Sequence, residues 1–140
     1  AQFLKDGRSG ELAALCTFEQ ATIYPAKPIS GFVFAMSPEE REEAARQQNA
    51  QAADIQKTAE AIQPALTVLD ELNVALSCGM VTQENAEKLI DAALAFGDVV
   101  STGRNAPEWL RARADYVSEI AAQKHPFETE KLAAREGIEY

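Results

Sequence analysis

The residues whose types could do chemistry in this sequence are a single histidine, two cysteines and a few adjacent carboxylates. His125 stands alone, so neither H-E-x-x-H nor any two-imidazole metal site can be built from it. A zinc site would need Cys16, Cys78 and His125 to converge from three distant segments. The simpler expectation for His125 is a helix C-terminus, where an imidazole meets the negative end of the helix dipole. Carboxylates are paired at Glu39-Glu40, Glu42-Glu43 and Asp70-Glu71. General acid catalysis needs one of a pair desolvated, but neighbours on a helix point in different directions, and these pairs read as solvated helix faces. Glu84, Glu87 and Asp91 share one face by their spacing, yet lack the histidine motif of a carboxylate-bridged metal site.

Neither G-x-G-x-x-G nor G-x-x-x-x-G-K-[ST] occurs, and the seven glycines stand singly, so no phosphate-cradling loop is legible. Arg104, Trp109, Arg111, Arg113 and Tyr116 interleave bases with aromatics, a nucleic-acid pattern where excess positive charge supports it. Here Glu108, Asp115 and Glu119 offset the bases, and Trp109 reads as core. The net charge is −9, and residues 37–103 carry twelve acids against four bases. Direct binding to nucleic acid or to an anionic membrane is therefore not expected, while a basic protein surface is a permitted partner.

The elements that must position these residues change character at Ser37. Residues 1–36 hold half of the ten aromatics (Phe3, Phe18, Tyr24, Phe32 and Phe34) together with Pro25 and Pro28. The alternation Phe32, Phe34, Met36 predicts a short strand, and the segment as a whole a short extended or two-stranded unit. Ser37-Pro38-Glu39-Glu40 then reads as a capping box with proline at the first helical position. A seam of Ala45, Gln48, Ala52, Ile55, Ala59, Ile62, Leu66 and Leu69 follows in steps of three and four. Pro64 predicts a kink or break near 62–64. Beyond it, Leu66, Leu69, Leu72, Val74 and Leu76 read as a second helix ending at Cys78, with Gly79 as its C-cap.

Thr82 opens a third helix with an inward face of Ala86, Leu89, Ile90, Ala93, Leu94 and Val100, closed by Gly103. Asn105, Pro107 and Glu108 open a fourth, carrying Trp109, Tyr116, Val117 and Ile120 as far as His125-Pro126, and a last short helix spans about 127–136. The expected fold is mainly α: one domain, 1–140, forming a small antiparallel bundle of four to five helices behind the N-terminal segment. A chain of this length can bury a core without staples, so Cys16 and Cys78 are expected to be buried, reduced thiols and no cofactor or metal is called for. No apolar run is long enough to span a membrane. A cytoplasmic location is expected, with a removed leader left open because the chain begins at Ala1.

Function is the least legible property. The leading expectation is a non-catalytic interaction module or assembly subunit that pairs with another protein chain or with itself, with Phe32, Phe34, Ile55 and Ile62 as interface candidates. An acidic inhibitor or decoy of a basic, nucleic-acid-binding protein is the alternative. An enzyme whose site is assembled from scattered residues such as Cys78, Glu84, Arg113 and His125 is the third.

Overall fold

The computed structural model describes residues 1–5, 10–24, 26–27, 29, 33–133 and 135. In chain order the elements are α1 (Gly10–Leu15), a 3-10 turn (Val33–Ala35), α2 (Pro38–Ile62), β1 (Leu66–Leu69), α3 (Leu72–Ser77), α4 (Gln83–Leu94), β2 (Asp98–Ser101), α5 (Glu108–Arg113) and α6 (Pro126–Glu130). They fall into two compact units, one of Ala1–Gly7 with Tyr24–Glu108 and one of Arg8–Ile23 with Trp109–Tyr140.

The first unit is built on a parallel pair. β1 and β2 run side by side in the register Leu66↔Asp98, Thr67↔Val99, Val68↔Val100 and Leu69↔Ser101, with α3 and α4 in the crossover between them. Parallel neighbours require such a crossover, because a tight hairpin can only return the chain antiparallel. On the other side of β1, Gln2 bridges Asp70 in parallel sense: Asp70 donates its N–H to the Ala1 carbonyl, and Phe3 donates to the Asp70 carbonyl, both at 2.9 Å.

This overturns the expected helical bundle: the fold is α/β. The segment 66–76 is not one helix but a strand, a left-handed turn at Glu71 (φ 60°) and a short helix. Spacing misled because Leu66, Leu69 and Leu72 fit a helical period, while the aliphatic and β-branched run Leu-Thr-Val-Leu equally suits a buried strand. Asp98-Val99-Val100-Ser101, read as the tail of the third helix, is β2. Gly97 shows why the chain leaves helix there: a Cβ on it would collide with the backbone of Ala65, so only glycine lets the two strands start this close. The expected N-terminal strand is also corrected, since Val33–Ala35 form a 3-10 turn; Phe32 lies outside the described residues.

Around the sheet, helix signals act where they were read. Ser37 Oγ accepts from Glu40 N–H, and the Glu40 carboxylate accepts from Ser37 N–H, the two halves of the capping box. α2 runs to Ile62, where Gln63 turns left-handed ahead of Pro64. Thr82 caps α4 through Asn85 N–H. α2 packs on α4; Ala44, Ala52, Ile55 and Ala59 of the one and Ala86, Leu89, Ile90 and Ala93 of the other are buried. The small side chains of α2 allow that close approach, and they explain a seam with little apolar bulk. No helix among the described residues is long and apolar enough to cross a membrane.

In the second unit the expected fourth helix is cut short at Arg113. Tyr116, Val117 and Ile120, read as its inner face, are exposed and outside any helix. The last helix is α6, shorter than the expected 127–136.

Candidate active site

The carboxyl ends of the strands of an open parallel sheet are where such folds place their ligands. At the end of β1 stands Asp70, and at the end of β2 stands Thr102. The Thr102 hydroxyl donates to Asp70 Oδ1 at 2.7 Å while accepting the Glu71 N–H at 3.2 Å. Its backbone closes the same corner, with N–H to the Leu69 carbonyl and carbonyl from the Asn73 N–H. The other carboxylate oxygen of Asp70 receives the Lys5 ammonium at 2.9 Å and the Gln2 amide at 3.3 Å. Burial pushes the Asp70 carboxyl up. The Thr102 and Lys5 hydrogen bonds, the Lys5 charge and the Gln2 amide outweigh it and hold the group below the usual carboxylate value. Asp70 is thus an ionised, half-buried anchor gathering three donors from two separate stretches of chain.

Around that anchor, Glu71 occupies the left-handed turn, with no capping bond from its side chain to α3. Asn73 donates its side-chain N–H to the Gly103 carbonyl at 3.3 Å, and its Oδ1 is enclosed with no donor among the described residues. Gly103 (φ +121°) lies so close to Asn73 and Val74 that a Cβ would crowd both. The exposed Arg104 follows at once.

Lys5 arrives from the N-terminal segment, which two buried glutamines of α2 hold in place. Gln51 Nε2 donates to the Gln2 carbonyl at 2.7 Å, and Gln48 Oε1 accepts the Leu4 N–H at 3.2 Å. Gln51 Oε1 accepts from the Lys27 N–H at 3.1 Å and from Gln48 Nε2 at 3.5 Å. Both side chains are fully enclosed, and each buried amide left without partners would cost about 1–3 kcal/mol.

A family model described as ATP:corrinoid adenosyltransferase BtuR/CobO/CobP matches residues 1–140. The chain belongs to that family. It is also 39% identical over 75 residues to the corrinoid adenosyltransferase of Pseudomonas aeruginosa, a match covering 54% of this chain and 36% of that relative. The chain therefore spans about a third of the length of the curated relative it matches.

Membership in an enzyme family overturns the leading functional expectation. The chain is not to be read as a non-catalytic interaction module or assembly subunit, nor as an acidic decoy, and the lean away from catalysis is corrected with them. The error was to equate catalysis with a histidine, a nucleophile or a phosphate loop within the chain.

The residues singled out from sequence are scattered. Ile55 is buried in the core, Ile62 is half-exposed at the end of α2, and Phe34 is exposed in the 3-10 turn; Phe32 is outside the described residues. Both cysteines are free thiols, but neither is buried as expected: Cys78 follows α3 half-buried and Cys16 is exposed. Glu84 is exposed and paired with Lys88 at 2.6 Å, whose hydrogen bond and charge lower its carboxyl. Cys78 and Glu84 belong to the first unit, Arg113 and His125 to the second. His125 is a helix N-cap rather than a C-terminal residue, its Nδ1 accepting the Phe127 N–H at 3.1 Å. No cluster of three or more metal-ligating side chains forms among the described residues.

Sequence reasoning missed Asp70 as an anchor, and with it Lys5, Gln2, Thr102 and Asn73. Two signals were present. One is an apolar run that stops at two acids; the other is a second apolar run about thirty residues on that stops at Ser-Thr-Gly-Arg, the spacing of a parallel strand pair with its crossover.

Proposed function

We propose that this chain supplies the strand-end part of an enzyme that transfers the adenosyl group of ATP to a corrinoid, and that Asp70, Lys5 and Thr102 form its nucleotide side. The observation that carries the reading is the closure of Asp70 by Thr102 and Lys5 across the carboxyl ends of β1 and β2.

The chemistry follows from what must leave. When an adenosyl group passes from ATP to an acceptor, the phosphate chain departs as a polyanion. A site that promotes this must place donors and positive charge where the anion accumulates. Asp70 is itself an acceptor, so its part is to orient: it fixes the Lys5 ammonium and the Thr102 hydroxyl as one set of donors on a rigid strand end. Lys5 supplies charge, and Arg104, one residue past Gly103, is a further cation after the end of β2. The partly buried Lys5 ammonium acts more strongly there than it would in bulk solvent. A cytoplasmic setting, where ATP is abundant, belongs to the same reading.

Adenosyl transfer assayed with ATP and a corrinoid tests it. In the enzyme containing this chain, Asp70→Asn keeps the shape but surrenders the charge that fixes Lys5. Turnover is expected to fall at least about tenfold, equivalent to about 1.4 kcal/mol of lost transition-state stabilisation. Undiminished turnover would remove the strand end from the reaction.

A further inference from the structure

We propose that the buried amide pair Gln48 and Gln51 is the positioning device of the strand-end site, holding the turn at Leu4 that delivers Lys5 to Asp70. The inference rests on the reading of that strand end as the nucleotide side, and it assigns a role to residues two layers away from it.

Three observations converge. First, Leu4 is a non-glycine residue at φ +55°, a left-handed conformation that a branched side chain disfavours. Something must hold it, and its N–H is bound by Gln48 Oε1. Second, that turn redirects the chain. Gln2 and Phe3 run alongside Asp70 as a parallel bridge; were the extended path to continue, it would carry residue 5 onward along the sheet, whereas the bend at Leu4 brings Lys5 back onto the Asp70 carboxylate. Third, two fully buried glutamines on an α2 face that is otherwise alanine and isoleucine are not what packing against α4 requires. Four hydrogen bonds engage their amides, and all but the one between them end on backbone: Gln2 and Leu4 on one side, Lys27 on the other. Such a clamp locks backbone rather than side chain, which is what fixing a strained turn demands.

The test reads Asp70 directly and needs no ATP. Among the described residues, the charged groups facing this carboxylate are Lys5 and the Ala1 amine, so its midpoint, followed by carboxyl-carbon NMR and assigned with Asp70→Asn, reports whether Lys5 is in place. In Lys5→Met the midpoint is expected to rise by about one unit, the effect of removing a close opposite charge. If the clamp positions Lys5, Gln48→Met raises it most of the way to the Lys5→Met value. Adding Leu4→Gly, which adopts the left-handed turn without strain, brings it back down. A glutamine that merely fills the core predicts neither the rise nor the rescue.

A wild-type midpoint in folded Gln48→Met, or a raised one that Leu4→Gly does not restore, overturns the proposal. Should Gln48→Met not fold, Gln48→Asn, one methylene too short to reach Leu4, is read in its place by the same criteria. Because the midpoint is measured without nucleotide, the positioning role can fail while Asp70→Asn still abolishes transfer, and the reverse.

Discussion

Asp70 concentrates the physical argument at the scale of a single residue. Desolvation alone would raise its carboxyl, but donors from Thr102, Lys5 and Gln2 reverse that sign. A carboxylate held below its unfolded value, near 3.9, stabilises the fold wherever the unfolded group would also be ionised. That contribution is lost as pH falls through the depressed folded value. Lys5→Met should therefore be less stable than the wild type at pH 7, and the difference measured by urea unfolding should shrink below about pH 4. A difference that stays constant from pH 7 to pH 3 would mean that Lys5 contributes by packing its methylenes, not by its charge. Glu84 gives the contrast: its partner Lys88 is four residues away on one exposed helix face, so its lowered carboxyl marks a local solvated pair and assembles nothing.

At the scale of elements, the strand pair depends on one close approach. Gly97, just ahead of β2, meets the backbone of Ala65 just ahead of β1, where Asp98 N–H donates to the Ala65 carbonyl at 3.0 Å. Gly97→Ala should force the strands apart at this end and cost about 1–3 kcal/mol or more, since the colliding atoms are main chain and cannot swing away. Urea unfolding measures it, and a variant within a few tenths of the wild type would show that the register Leu66↔Asp98 tolerates sliding. Helix starts were legible in the sequence because their determinants are local: Ser37 with Glu40, and Thr82 with Asn85, lie within one turn. The strands were not, because four-residue runs such as Leu66–Leu69 satisfy helical and extended periods alike, and only pairing with a segment thirty residues away decides between them. The site was illegible for the same reason magnified. Lys5 and Asp70 are separated by most of the first unit, and no spacing rule relates them. Gln48 was visible as a polar position in an apolar seam, Gln51 was not singled out, and the two hydrogen-bond the backbone of Leu4 and Gln2.

At the scale of the whole molecule, charge placement sets a problem that the proposed substrate must solve. Residues 37–103 carry twelve acids against four bases, and ATP is a polyanion, so the field around the first unit opposes its approach. Lys5 does not cancel that field, because Asp70 already balances it; its charge acts at contact, over a few ångströms and partly out of water. The two influences respond differently to salt. Long-range repulsion between exposed acids and an approaching anion is screened once the Debye length shrinks to about 10 Å near 0.1 M salt, whereas a half-buried contact is screened much less. Raising ionic strength from about 10 mM to 100 mM should therefore increase kcat/KM for ATP, by a few-fold, and should leave kcat nearly unchanged. The Lys5→Met variant should show the same upward slope from a lower starting value, since the repulsive field is intact and only the contact is lost. A kcat/KM that falls with salt would mean that the nucleotide is steered by exposed cations, and would move its entry away from the end of the sheet that Asp70 anchors.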